Sequence, residues 1–331
     1  MKKIRYGIIG FGAFAERAIL PAIRLAKNSE IVAIQKRSMD AAKQKAEEYS
    51  VPLYYDSVES LVQSNEVDAV FIVSANSSHH SETIAAAKAG KHVLVEKPMA
   101  VSLHQAVEMT DACRVSGVKF MTGHMLRFSP LNQRLKELVQ SGAIGTVTYA
   151  RSHFVYNVGL SNRSWVLDKG TAGGGPLFDI GIHSLDTIRF VLNDDHVVDV
   201  KSLMNPDNSA ENVERTSVLS LRFSQGTLAT VYTSYETPYR ESFIEFIGTT
   251  GSISAYQFTP SNTETFIEIK RGKNGLVDST ERETFRVPNL YTLEVEHFSD
   301  CILNGTEPVI TVKDSLHNQE ILEKAVFLSK K

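Results

Sequence analysis

The chain has little cysteine, a single tryptophan and almost no net charge, and each scarcity excludes something. Its 331 residues include two cysteines, Cys113 and Cys301, which fall in separate helical patterns. Neither a disulfide framework nor a zinc site is expected, and the expected compartment is the cytoplasm. A formal charge of −3 gives no reason to expect nucleic acid or an anionic membrane surface as partner. No apolar stretch is long enough to span a bilayer. Met1-Lys2-Lys3 leads straight into a strand pattern, without the apolar core and small-residue cleavage site of a signal peptide. What is present is globular in character, with 42 % hydrophobic and 22 % charged residues, and the length suits two domains.

The first 120 or so residues alternate short apolar strands with helical segments. Ile4–Ile9, Ile31–Ile34, Leu53–Tyr55, Ala69–Val73, His92–Val95 and Val118–Met121 read as strands. The intervening helices span about 16–26, 40–49, 58–63, 81–89 and 103–116, two of them closed by Gly90 and Gly117. Strands separated by helices of this length imply parallel crossovers, so residues 1–122 are expected to form a doubly wound α/β domain. Its ligand crevice lies beyond the carboxyl ends of the strands. Residues 123–331 change rhythm. A helix near 130–140 precedes long alternating segments at 147–155, 218–223, 228–234, 243–247, 252–256, 265–270 and 284–287. Ser224-Gln225-Gly226-Thr227 and Gly248-Thr249-Thr250-Gly251 read as hairpin turns. This half is expected to be an α/β domain with a large, mostly antiparallel sheet, open on one face until helices or another subunit cover it.

Gly10-Phe11-Gly12-Ala13-Phe14-Ala15 follows the first strand directly and opens a helix. Gly10 permits a tight turn, Gly12 lets the backbone approach a pyrophosphate, and Ala15 allows close packing of helix on strand. The helix then offers its unpaired N–H groups and positive dipole end to the anion. NAD-binding domains usually place Asp or Glu about 20 residues after the glycines to hold the ribose hydroxyls. Here the second strand ends Ile34-Gln35-Lys36-Arg37-Ser38, with no carboxylate before Asp40. Lys36 and Arg37 would attract a 2′-phosphate and Ser38 could donate to it, so NADP(H) is expected over NAD(H).

Two constellations point to chemistry. Glu96-Lys97-Pro98 follows the strand at 92–95, and proline fixes the backbone just past Lys97 at the sheet's carboxyl edge. An ammonium there can stabilise a developing alkoxide. Gly173-Gly174-Gly175-Pro176 then opens a helix in which Asp179 and His183 lie four apart on one face, with Asp186 near the same stripe. A carboxylate beside an imidazole on a buried helix can orient the ring and raise its basicity. One histidine and two carboxylates make a poor metal site, so no metal is expected.

The order of these motifs resembles the Gfo/Idh/MocA family, the oxidoreductases related to glucose–fructose oxidoreductase and inositol dehydrogenase. The likeness runs from Gly10-x-Gly12-x-x-Ala15 through Ser74-Ala75-Asn76-Ser77-Ser78-His79 and the 89–98 stretch that ends in Glu96-Lys97-Pro98. It continues through Arg127-Phe128-Ser129-Pro130 and Ala172-Gly173-Gly174-Gly175 to Asp179-x-Gly181-x-His183-x-x-Asp186, and includes Gly248-Thr249-Thr250-Gly251-Ser252. The resemblance implies a Rossmann domain joined to a domain with a large, mostly antiparallel sheet. It implies hydride transfer at a CH–OH or C=O carbon of a sugar or cyclitol, without metal, in a homodimer or homotetramer assembled through that sheet.

Carried over by position, the resemblance makes Lys97, His183 and Asp179 the catalytic set. His183 is the expected acid/base, Lys97 polarises the reacting oxygen, and Asp179 orients the histidine or binds substrate. Lys97 and His183 could exchange the proton-donor role. Cofactor binding is expected of Gly10, Phe11, Gly12, Ala13, Phe14, Lys36, Arg37, Ser38, Ser74, Asn76, His79, Glu96 and Lys97. Substrate contacts are expected of His124, Arg163, Trp165, Tyr235 and Tyr291. The segment from Asp186 to Asp195 looks like the branch containing 1,5-anhydro-D-fructose reductase, which uses NADPH, while NADP-dependent aldose dehydrogenases remain a close second. Trp165-Val166 departs from the Trp-Arg often found in the family and removes a possible substrate donor. The alternatives are an NAD-dependent inositol-type dehydrogenase, an NAD-using glycosidase and a non-catalytic dinucleotide-binding regulator. The regulator would be expected to lack Lys97 or His183.

Overall fold

A computed structural model describes residues 2–161, 163–193, 196–207 and 212–329. Asp194 and Asp195, the end of the segment likened to the reductase branch, lie outside the described residues. The chain divides into two compact units, Met1–Met125 with Tyr291–Gln319, and Leu126–Leu290 with Glu320–Lys331.

The first unit holds a parallel sheet of six strands among the described residues. These are β1 (Ile4–Ile9), β2 (Ser29–Gln35), β3 (Leu53–Tyr55), β4 (Ala69–Ile72), β5 (His92–Glu96) and β6 (Phe120–Gly123), in the order β3-β2-β1-β4-β5-β6. The central strands are apolar on both faces because helices cover both, which is why they read as continuous hydrophobic runs. The crossover helices are α1 (Leu20–Leu25), α2 (Met39–Glu48), α3 (Val58–Val62), α4 (His79–Lys88) and α5 (Leu103–Val115). Ser38, Ser57 and Ser102 cap α2, α3 and α5 by accepting from backbone N–H groups in the first turn. This is the doubly wound domain that the strand–helix alternation implies.

The second unit contains, among the described residues, α6 (Pro130–Gln140), α7 (Lys169–Ala172), α8 (Ile182–Leu192) and eight strands. The strands are β7 (Val147–Asn157), β8 (Val197–Asn205), β9 (Thr216–Phe223), β10 (Leu228–Ser234), β11 (Glu236–Gly248), β12 (Gly251–Tyr256), β13 (Thr263–Lys273) and β14 (Leu276–Val287). Their order is β14-β13-β12-β11-β7-β10-β9-β8, antiparallel except for the β7–β10 pair. Both expected hairpins form, β9–β10 around Gly226 and β11–β12 around 248–251. The chain closes with α9 (Leu290–Asn304) and α10 (Val312–Leu328). The sequence reading counted all of 123–331 to the second domain. Tyr291–Gln319 groups with the first unit, where Tyr6 on β1 shares a hydrogen bond with Ser299 on α9 at 2.8 Å. No helix among the described residues is long and apolar enough to cross a membrane.

Candidate active site

In the first unit the glycine turn is built as its sequence requires. Gly10 has φ +79°, and a Cβ there would lie 2.7 Å from the Ser74 Cα, so only glycine fits. The Gly10 N–H donates to the Gln35 side chain at 3.1 Å, and the Phe11 N–H donates to the Gln35 carbonyl at 2.9 Å. The turn is thereby tied to the carboxyl ends of β2 and β4. In front of Gly12 the space is open, since an added Cβ would meet only the Gly10 carbonyl at 3.8 Å. That opening, followed by a helix whose first residues include exposed Ala13, fits a dinucleotide pyrophosphate. Ala15 is fully buried, as its position in the motif demands, and it begins a π-helical stretch, Ala15–Ile19, before α1.

At the end of β2 the three candidate phosphate-binding residues part company. The Lys36 ammonium donates to the Phe11 carbonyl at 2.6 Å, bracing the glycine turn. Arg37 is exposed, and Ser38 is exposed while its hydroxyl caps α2. Ser74 follows β4, and its hydroxyl donates to Glu82 on α4 at 2.5 Å. Burial, with a smaller contribution from the Glu59 charge, pushes the Glu82 carboxyl up to about 7. Buried Asn76 opens the short helix Asn76–Ser78. The His79 ring is fully buried, with Nδ1 3.0 Å from the Pro98 carbonyl and Nε2 3.2 Å from the Ser74 carbonyl. Glu96 is buried and accepts from the Lys97 N–H at 3.1 Å, while the Lys97 side chain is half-buried at the carboxyl end of β5. Tyr291 was counted to the substrate. It stands beside Phe14 of the glycine motif, ring centroids 5.7 Å apart and nearly perpendicular. His124, also counted to the substrate, is buried, with Nε2 3.4 Å from the Asn318 side-chain nitrogen.

In the second unit a π-helical turn, Leu177–Gly181, leads into α8. Glu214 anchors its start by accepting from the N–H groups of Gly175 (3.0 Å) and Leu177 (3.1 Å), a carboxylate at the positive end of a helix. Glycine is needed at 175 because a Cβ would lie 2.0 Å from the Glu214 carbonyl oxygen. Asp179, 6 % exposed, gathers three side chains. Arg163 binds it in bidentate fashion, Nη1 at 3.1 Å and Nη2 at 2.9 Å. The hydroxyls of Tyr156 and Tyr235 donate to Oδ2 at 2.9 and 3.1 Å. Burial first, and the neighbouring carboxylate second, raise both tyrosine pKa values, so both are neutral donors at physiological pH. The Arg163 guanidinium lies over the Trp165 ring at 5.2 Å. Val166 is buried with Phe154, Val158, Ile180 and Tyr235.

His183 follows Asp179 by one turn and is 8 % exposed, its ring 6.2 Å from that of Phe154. Asp186, expected near the same stripe, belongs to a separate buried pair in which Arg127 Nη2 donates at 2.7 Å and Nε at 2.9 Å. Of the residues placed in the second unit by sequence, the structure therefore joins Asp179, Arg163, Trp165 and Tyr235. Arg163 is held by Asp179, so it is a partner of the carboxylate before it is a donor to any ligand. Tyr156 was missed. Its signal was the alternation of β7, which turns Ser152, Phe154 and Tyr156 to one side; Ser152 donates to Ser184 on α8 at 2.8 Å, Phe154 faces His183 and Tyr156 reaches Asp179.

Comparison with known proteins agrees with this architecture. Residues 4–124 match the oxidoreductase family with an NAD-binding Rossmann fold, GFO/IDH/MocA, and residues 132–254 match the GFO/IDH/MocA C-terminal domain. The chain is 35 % identical to 1,5-anhydro-D-fructose reductase of Ensifer adhaerens, over 94 % of this chain and 92 % of that protein. It is 29 % identical to D-xylose 1-dehydrogenase (NADP(+)) 2 of Haloferax volcanii (94 % and 93 % covered) and 26 % identical to scyllo-inositol 2-dehydrogenase (NAD(+)) of Bacillus subtilis (96 % and 92 %). Among solved structures it is similar to aldose-aldose oxidoreductase from Caulobacter crescentus complexed with glycerol. That match has a TM-score of 0.87 and 28 % identity, covering 99 % of this chain and 98 % of the other. The chain belongs to the GFO/IDH/MocA family of oxidoreductases.

Proposed function

We propose that the protein transfers a hydride between NADP(H) and a CH–OH or C=O carbon of a sugar or sugar derivative. The observation that carries the carbohydrate reading is the Asp179 cluster, in which a carboxylate, a guanidinium, two phenols and an indole face converge one turn from an imidazole. Such a group of donors and acceptors beside an aromatic face suits a polyhydroxylated ring. His183 serves as the acid/base at the reacting oxygen, Lys97 polarises that oxygen, and Asp179 holds Arg163 and the tyrosines in register. Nicotinamide, when bound, would donate the hydride in reduction or accept it in oxidation. The names of the relatives, an anhydrofructose reductase and a xylose dehydrogenase, support the same substrate class.

The NADP(H) preference rests on exposed Arg37 at the end of β2, where an acid is missing. One observation favours NAD(H) instead: Lys36 is engaged by the Phe11 carbonyl, leaving Arg37 as the main cation for a 2′-phosphate. Titration with NADPH and NADH by nicotinamide fluorescence, repeated on Arg37→Ala, separates the two. Tighter NADPH binding that Arg37→Ala abolishes supports the proposal; equal or better NADH binding in the wild type contradicts it.

For assembly we propose a homodimer or homotetramer through the open sheet face. A cross-strand row there runs Leu203, Val218, Tyr232, His153, Phe243, Tyr256 over six neighbouring strands, and four of these side chains are exposed apolar or aromatic groups. Light scattering of Tyr232→Glu should show dissociation, and an unchanged mass would refute this assembly.

A further inference from the structure

His79 opens α4 with both ring nitrogens against backbone carbonyls, Nδ1 3.0 Å from Pro98 and Nε2 3.2 Å from Ser74. The two carbonyls belong to different chain segments, one just past β4 and one just past β5, so the ring spans adjacent strand ends. Pro98 is the residue after Lys97. On the other side, the Lys97 N–H is held by the Glu96 carboxylate at 3.1 Å. The backbone of Lys97 is therefore fixed before and after the residue by side chains that carry no solvent-facing role.

Burial drives the His79 pKa down to about 4, so the ring is neutral at physiological pH. A neutral imidazole carries one N–H, and a carbonyl can only accept. The ring can thus donate through one nitrogen only, and its shorter contact is the one between Nδ1 and the Pro98 carbonyl.

We propose that His79 is a positioning residue for Lys97, its buried Nδ1–H fixing the Pro98 carbonyl and with it the placement of the Lys97 ammonium. This rests on the reading of Lys97 as the group that polarises the reacting oxygen. Misplacement of such a group by about 1 Å can cost on the order of 100-fold in rate.

The test compares His79→Asn, whose amide N–H overlays Nδ1, with His79→Gln, whose amide overlays Nε2, in full-length protein. His79→Asn should keep kcat within about threefold, while His79→Gln should lose at least tenfold in kcat with the NADPH dissociation constant unchanged within threefold. In a Lys97→Ala background, His79→Gln should cost less than twofold more, because its effect runs through the lysine. Equal kcat in the Asn and Gln variants would overturn the proposal. So would a loss in kcat matched by lost NADPH affinity, or a full additional loss in the Lys97→Ala background. Lys97→Ala alone keeps the two readings apart: wild-type turnover there defeats the role of Lys97, whereas a collapse there beside an unaffected His79→Gln defeats only the role of His79.

Discussion

Tyr156 donates its phenolic proton to Asp179 at 2.9 Å, across from Tyr235, which donates to the same oxygen at 3.1 Å. The two rings meet edge to face with centroids 5.2 Å apart. One comes from the end of β7 and the other from just after β10, and these are the two strands that pair in parallel. The parallel pair brings both strand ends to one edge of the sheet, where the π-helical turn carrying Asp179 sits.

Tyr156→Phe keeps the ring and removes one of the donors on Asp179. A hydrogen bond to a charged acceptor is worth roughly 1.5–3 kcal/mol. The variant should lose stability in that range in a denaturant titration and about tenfold in kcat/KM. Unchanged values for both would mean that Arg163 and Tyr235 hold the carboxylate without Tyr156.

Arg163→Met leaves the Asp179 charge with only the two phenols named here among its identified donors. The guanidinium is partly exposed, so the cost should be about 1–3 kcal/mol, below that of breaking a fully buried pair. Arg163→Lys should recover less than half of it, because an ammonium cannot reproduce the bidentate geometry. Full recovery with lysine, measured by thermal and urea unfolding, would reduce the pair to a point-charge interaction.

Glu82 gives a pH dependence with a defined sign. In the folded protein its carboxyl keeps its proton to about pH 7, against an ordinary value of 4.5. The folded state thus binds the proton more tightly, and stability from this group is fully present below pH 4.5 and declines as the pH rises to about 7. The full difference is on the order of 3 kcal/mol. Glu82→Gln removes the titration. Its stability relative to wild type should increase from pH 4.5 to 7 and then level off, as followed by urea midpoints. A difference that does not change with pH would show that Glu82 ionises normally.

The parts of this architecture that were legible in the sequence are those governed by local chemistry. Gly10 and Gly12 after an apolar run specify the turn, and the apolar strands at 69–73 and 92–95 declare their burial. The placements that local sequence does not announce depend on packing between distant segments. Nothing near His79 in sequence tells that its ring will be enclosed by Ser74 and Pro98, and nothing near Tyr291 tells that it will stand on Phe14. Asp179 and His183 stand out in the sequence because a helix puts residues four apart on one face. Tyr156 was missed because the strand was ended at Val155, two residues short of its observed limit at Asn157. The hairpin between β13 and β14 was also missed. Asn274 and Gly275 both have positive φ there, as a two-residue hairpin turn requires, but the flanking residues, Gly272 and Lys273 before and Leu276 and Val277 after, are all exposed and lack the alternation of polar and apolar residues that marks a strand.

His183→Ala assayed with NADPH and a panel of aldoses, ketoses and dicarbonyl sugars tests the central claim most directly. Once the wild type has identified a turned-over sugar, the variant should bind NADPH as before while kcat falls by roughly 10²–10⁴-fold, the worth of a positioned acid/base. A loss of less than a few-fold would contradict the assignment of proton transfer to His183.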